Sequence, residues 1–286
     1  MITSSRHTAI IDHVDVSALR QRLLDLYQKL HAHYGYEPYW WPVFSDTPQF
    51  EIMVGAVLVQ QTRWDTVEGA VVRLRDAALL TPEALATADA IEVAVLVRPC
   101  AFHSQKAQGL QAICRYVLQH YNGEVAPLLA QECTKLRAEL LALPQIGPET
   151  ADAILLYAGA HPKFVVDAYA RRLFARLDLL PGFDFHAARY NVVQQLVEGA
   201  LQGAIFDFAH LDGSLRHFLW DLHAMINEEC IHHCLANKPR CDRPGVQRTF
   251  LDPRKCVQHC ASCSGCPLRM MCAMYQAAHH TKRQST

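Results

Sequence analysis

Residues 143–158, LPQIGPETADAILLYA, are the stretch on which the reading of the fold turns. Leu143 and Pro144 close one helical run, and Gly147 supplies a tight turn. Pro148 stands at the first position of a new helix, where its missing N–H costs nothing, and the apolar residues beyond recur with helical rhythm. A helix that leaves such a turn points unpaired backbone N–H groups outward, which makes a seat for phosphate. Turns of this kind also join helices with no ligand at all, so the stretch has to be weighed with its surroundings.

Upstream the same grammar repeats: TPEALATADAIEVAVLV, HSQKAQGLQAICRYVLQHY and TKLRAELLAL are helical segments separated by short turns. Further back, Asp15 or Ser17 can cap a helix through LRQRLLDLYQKLHAHYG. Leu19, Leu23, Leu26, Tyr27 and Leu30 fall on one face of it and Gly35 stops it. FEIMVGAVLVQQTRWDTVEGAVVRL reads as one helical rhythm. Downstream lie VVDAYARRLFARLDLL, ARYNVVQQLVEGAL and SLRHFLWDLHAMINEEC. No alternating strand pattern and no glycine-rich phosphate loop at a strand end appear, so the fold expected is all-α.

Composition narrows the class. The 286 residues are 51% hydrophobic and 19% charged, which excludes a disordered chain and allows one large domain or two modest ones. The start, MITSSRHTAIIDHVDV, lacks the pattern of a secretory or transit segment, and no apolar run approaches the roughly 18 residues of a membrane span. A soluble, cytoplasmic protein is expected. Charge is unevenly spread: the last 58 positions hold 9 of the 27 Lys and Arg but 3 of the 28 Asp and Glu, giving +6 there and −7 before. A local basic excess is a weak footprint of phosphate binding, and equally a solvated tail. Cysteine is more lopsided still. Of 11, only Cys100, Cys114 and Cys133 precede residue 229. In a chain of this length without a secretory start, that density favours a metal site over a disulfide knot.

Two segments in order, LPQIGPETA and VVDAYARRLF, resemble the helix-hairpin-helix and the catalytic-aspartate segment of the endonuclease III superfamily of DNA glycosylases. VGAVLVQQTRW is similar to the helix and turn that enters DNA in that superfamily. RPCAFHSQKAQGL resembles its Pro-x-x-Phe-x-x-x-Lys-Ala segment, and LHAMINEECIHHCLANKPRC its approach to an iron-sulfur loop. YEPYWWPVFSDTPQFE resembles the Trp-Trp-Pro pocket segment of the endonuclease III type 3-methyladenine DNA glycosylases.

The resemblance implies two helical lobes, a barrel over residues 46–160 ending in the hairpin, and a second lobe from 1–45 with 161–286. It implies a monofunctional glycosylase of base excision repair, acting as a monomer on double-stranded DNA and releasing alkylated purines such as 3-methyladenine. Asp167 would be the catalytic carboxylate, stabilising positive charge on the sugar and orienting water. Trp40, Trp41 and Pro42 would line the base pocket, where a cationic base gains cation–π attraction. Gln60, Gln61 and Thr62 would be the DNA wedge, and Gln145, Gly147 and Thr150 would belong to the phosphate-holding hairpin. Lys106 reads as a phosphate contact or a solvated lysine.

Two positions depart from the pattern. Glu149 stands where bifunctional members carry a lysine, and a carboxylate cannot form their Schiff base, so water is the nucleophile implied. Whether Glu149 also orients that water stays open. Gln145 stands where the hairpin usually has its first glycine, which puts its turn in doubt if that position needs a positive φ.

In the tail, Cys266 and Cys272 are shared by two readings of a four-thiolate [4Fe-4S] site. Cys234 and Cys241 complete one and are preferred for their Lys-Pro-Arg-Cys context. Cys256 and Cys263 complete the other, whose intervals match the superfamily's loop. Zinc is the competing metal, since thiolate quartets suit it as well. The C-x3-C-x2-C string at Cys256, Cys260 and Cys263 also matches a radical-SAM signature, but too little chain follows it to build the barrel such a site requires. The rival functions are a glycosylase for an oxidised pyrimidine or mismatched base, and a non-catalytic damage-sensing DNA-binding protein.

Overall fold

The computed structural model describes residues 15–35, 40–208, 210–245 and 265–283. Among them every regular element is helical, as the periodicities require, and no helix is long and apolar enough to cross a membrane. The described chain divides into two compact units, residues 40–163 and residues 15–35 with 164–245 and 265–283.

Helix α1, Val16–Tyr34, starts where the carboxylate of Asp15 accepts the N–H of Ala18 at 2.9 Å. It ends at Gly35, whose φ of 69° only glycine adopts cheaply. Its buried stripe is Leu19, Leu23, Leu26, Tyr27, Leu30 and Tyr34. Each such side chain contributes about 1.5–3 kcal/mol when withdrawn from water.

In the unit of residues 40–163, α2 (Pro48–Leu58) is buried at every position from Phe50 to Leu58. A helix apolar all round belongs in the middle of a core, and α2 is the helix on which the unit is assembled. The continuous rhythm read across residues 50–74 is broken at Val59–Arg63. There Gln61 turns left-handed, with φ 51°, before α3 (Trp64–Asp76) begins. Helices α4 (Pro82–Thr87) and α5 (Ala90–Leu96) pack on the long α6 (His103–Tyr121). After α7 (Val125–Leu129) and α8 (Cys133–Leu141), α9 (Pro148–Ala153) runs into a π turn at Ile154–Ala158. The guanidinium of Arg137 on α8 forks onto Asp152 on α9 at 2.7 and 3.0 Å, with Asp152 fully buried. Removing one partner of such a pair costs about 3–5 kcal/mol, because the other charge is left stranded.

The second unit adds α10 (Ala168–Leu177), α11 (Tyr190–Leu201), α12 (Leu215–His232) and α13 (Ala273–Arg283), the last preceded by a 3-10 turn at Arg269–Met271. Helix α1 packs on α11 and α12, and α10 packs on α12 and α13. The hydroxyl of Tyr27 donates to Asp221 at 2.7 Å, while His31 stacks on His210 with centroids 3.8 Å apart and planes within 10°. Burial pushes the Asp221 carboxyl up to about 6 and holds both imidazoles below their ordinary value.

Candidate active site

The hairpin is built as its sequence suggests, with one strained position. Gln145 takes the left-handed conformation, φ 64°, that the glycine it replaces would adopt without cost. Gly147 is the N-cap of α9 in extended backbone, φ −91° and ψ 178°, and a Cβ placed there would meet nothing within 4 Å. The local chain does not need glycine at this position. What its bare backbone provides is open approach from outside to the first turn of α9. Thr150 is buried, while Gln145 and Glu149 are exposed.

The turn at residues 59–63 is tied to this hairpin. The amide of Gln60 donates to the carbonyl of Gln145 at 2.8 Å and to the hydroxyl of Thr150 at 3.0 Å. Thr62 donates to the carbonyl of Gln60 at 3.1 Å and accepts the N–H of Ala101 at 3.1 Å. Of the wedge trio, only Gln61 is exposed. Lys106, 1% exposed, is neither a phosphate contact nor a solvated lysine. Its ammonium donates to the carbonyls of Leu58 and Gln60 at 2.8 and 2.6 Å and to the hydroxyl of Thr62 at 3.0 Å. Burial holds its pKa below the ordinary lysine value. A hollow beside the turn is lined by Gln60, Gln61, Phe102, Gln105, Lys106 and Gln145. Phe102, 57% exposed and left-handed at φ 55°, lines it too; it is the Phe of the Pro-x-x-Phe-x-x-x-Lys-Ala segment, to which the sequence reading gave no role.

Trp40 and Trp41 are half-buried and Pro42 is buried. Both indoles lie against Tyr157, at 5.5 and 4.9 Å between centroids, and Trp41 meets Trp64 edge-on at 5.1 Å. Gly55 allows this, since a Cβ there would press on Trp41 at 3.3 Å. The indole N–H of Trp64 donates to the buried Glu68 at 2.9 Å, fixing the edge of the group. Tyr157 and Trp64, the latter held by Glu68, complete an aromatic cluster of which the sequence reading assigned Trp40 and Trp41 to the pocket.

In the other unit, Asp167 is the N-cap of α10, its Oδ1 accepting the N–H of Ala170 at 2.7 Å. The structure adds that its Oδ2 faces Asn227 at 3.2 Å and His223 at 3.4 Å, both from α12. Burial works to raise its pKa, but the hydrogen bond and charge of His223, with the donors on Ala170 and Asn227, outweigh it. The carboxyl is held below the usual aspartate range.

Cys234, Cys241, Cys266 and Cys272 all belong to the described residues and carry no disulfide; Cys256, Cys260 and Cys263 lie outside them. The N–H of Cys266 donates to the carbonyl of Cys241 at 2.9 Å. The thiols lie within electrostatic reach of one another: Cys241 senses Cys272 and Cys234, Cys272 senses Cys234, and Cys266 senses Cys241. Arg176 donates to the sulfur of Cys234 at 3.2 Å. The Cys234 thiol is drawn down to about 6, chiefly by the Cys230 hydrogen bond and then by Arg176 and Arg172. Glu229, buried beneath, accepts from Tyr34 at 2.8 Å and from Cys266 at 2.9 Å, and burial pushes it up to about 8. Four soft donors within electrostatic reach of one another, with two guanidiniums beside Cys234 and a neutral carboxyl at Cys266, fit a thiolate-bound metal or cluster of net negative charge.

With the two groups of residues in view, the relatives give them a frame. Residues 54–198 match the HhH-GPD superfamily base excision DNA repair protein family. A protein of Methanocaldococcus jannaschii, provisionally a DNA repair glycosylase, is 32% identical over 232 residues, 81% of this chain and 96% of its own. The chain therefore belongs to the HhH-GPD superfamily of base excision repair DNA glycosylases. Among solved structures, a 3-methyladenine DNA glycosylase of H. pylori, MagIII, bound to 1,N6-ethenoadenine, shares 26% identity with a TM-score of 0.61, over 73% of this chain and 95% of that one. Endonuclease III trapped covalently on DNA shares the fold, with a TM-score of 0.61 at 21% identity over 91% of this chain and 98% of that one.

Proposed function

We propose that this glycosylase is monofunctional and hydrolyses the N-glycosidic bond of alkylated purines, 3-methyladenine first among them, in double-stranded DNA. The observation that carries the substrate class is the aromatic group of Trp40, Trp41 and Tyr157. A base carrying positive charge gains about 0.5–2 kcal/mol from aromatic faces that a neutral base does not. The same charge weakens the glycosidic bond, so no acid is needed to protonate the leaving group. The H. pylori neighbour, which binds an enlarged adenine, supports a purine pocket.

In this reading the damaged nucleotide leaves the helix, as it must for any enzyme to reach its sugar bond. The turn carrying Gln60, Gln61 and Thr62 fills the vacated space, with Gln61 and the Phe102 ring as its exposed members, while the backbone around Gln145, Gly147 and Thr150 takes up phosphate. Asp167, ionised, faces the sugar as positive charge builds, and water attacks. Glu149, in the position of the superfamily's lysine, forms no imine and leaves an unnicked abasic site. A [4Fe-4S] cluster on Cys234, Cys241, Cys266 and Cys272 would supply a structural cross-link for the basic loop.

Purified protein incubated with methylated duplex DNA should release 3-methyladenine, with strand breaks only after hot alkali, and the Asp167→Asn variant should release none. Release of oxidised pyrimidines with indifference to methylated purines would overturn the substrate class. Glu149→Lys should give detectable borohydride trapping on an abasic duplex; normal binding without trapping would show that position 149 is not the lysine's equivalent. Iron analysis should find about four irons per chain, and zinc in their place would replace the cluster by a four-thiolate zinc site.

A further inference from the structure

The two oxygens of Asp167 are not equivalent. A carboxylate offers about four acceptor positions, two on each oxygen. Oδ1 takes the Ala170 N–H at 2.7 Å, as any N-cap does. Oδ2 faces Asn227 Nδ2 at 3.2 Å and His223 Nε2 at 3.4 Å. The donor count settles which way those groups point. The Asn227 amide has two hydrogens, and its better-placed neighbours are the His223 carbonyl at 3.0 Å and Oδ2 itself. An ionised carboxylate can only accept, so in the contact between Nε2 and Oδ2 the hydrogen belongs to the imidazole. His223 and Asn227 lie one turn apart on α12, both buried, and the Asp167 side chain is 13% exposed.

A helix cap needs one oxygen and one backbone N–H. Nothing in capping calls for two buried side-chain donors on the second oxygen. We propose that His223 and Asn227 are positioning residues for the glycosylase reaction: they saturate Oδ2 and leave the second acceptor position of Oδ1 as the one turned to sugar and water. The inference rests on the reading of Asp167 as the carboxylate of that reaction. It extends it by naming what keeps that carboxylate ionised and unable to rotate. The titratable groups facing it are His223 and Cys230, both on α12, and of the two it is the histidine that reaches Oδ2.

The test uses the full chain with its metal. One readout is single-turnover release from methylated duplex; the other is affinity for a duplex carrying a cationic pyrrolidine in place of one deoxyribose, measured against a neutral tetrahydrofuran duplex. His223→Ala should slow release about 10- to 100-fold, the loss of one charge-assisted hydrogen bond. Tetrahydrofuran binding should stay within about twofold, and the acid limb of the rate profile should move to higher pH. His223→Gln, which keeps a donor, should recover part of both changes. Asn227→Asp, nearly isosteric, should move the acid limb up further by placing a second carboxyl at Oδ2; it serves if His223→Ala fails to fold.

Wild-type rate and an unmoved acid limb in His223→Gln and Asn227→Asp, with Asp167→Asn inactive, would overturn this inference and leave the carboxylate reading standing. An active Asp167→Asn, or a wild type that binds the pyrrolidine duplex no better than the neutral one, would overturn the carboxylate reading itself.

Discussion

Replacing Lys106 by Met should cost about 3 kcal/mol in urea unfolding, because the carbonyls of Leu58 and Gln60 and the hydroxyl of Thr62 would lose a shared donor inside the protein. A cost under about 1 kcal/mol would mean that water reaches them. No local pattern foretells this arrangement. Lysine is seldom fully buried, and the three partners lie 44 to 48 positions away, beyond any local pattern. Asp167 was legible because a resemblance singled it out. His223 and Asn227 were not, since at helical spacing on an apolar face they read as ordinary members of α12. For Asp167 the pH dependence has a definite sign. A carboxyl whose folded pKa lies below its unfolded one contributes stability at neutral pH that is lost as pH falls through the folded value. The stability difference between the wild type and Asp167→Asn should therefore shrink on acidification, and a difference independent of pH would refute it.

At the level of helices, α6 and the hairpin touch through the absence of a side chain. A Cβ on Gly109 would lie 2.6 and 2.7 Å from Cγ and Cβ of Gln145. Helix propensity alone makes Gly→Ala stabilising by about 1 kcal/mol. Gly109→Ala is nonetheless expected to destabilise by about 2 kcal/mol through overpacking. Adding Gln145→Gly should regain most of that loss, since it removes the clashing atoms and relieves the left-handed residue; simple additivity of the two changes in urea melts would count against the contact. Which elements are helices was largely open to reading. Asp15 caps α1, Gly35 ends it, and the buried stripe includes every leucine named from spacing. The turn between α2 and α3 was named through the resemblance of VGAVLVQQTRW, but its left-handed residue was not, because Gln61 is not a residue that advertises such a conformation. The aromatic cluster was half visible: Trp40 and Trp41 are adjacent in sequence, but Tyr157 reaches them only through the fold of α9 and its π turn.

Over the whole molecule, charge is segregated, with the basic excess in the last 58 residues. Lys238 and Arg243 are exposed there. If they meet phosphate, changing both to Ala should flatten the dependence of log affinity on log salt by about 2 while weakening all duplexes alike; an unchanged slope would make the tail a solvated one. The order in which the chain is made has a consequence of its own. Tyr27 bonds to Asp221 across 194 positions, and Arg20 to the carbonyl of Ala200 across 180. On a ribosome adding about 5–20 residues per second, α1 is finished some 10–40 s before the partners of its apolar face exist. During that interval residues 40–163 can close on themselves while α1 stays sticky and unpartnered. Newborn chains of this protein should therefore be most in need of a chaperone over their first helix, and a long pause in translation between residues 163 and 221 should lower the yield of native enzyme more than an equal pause before residue 40.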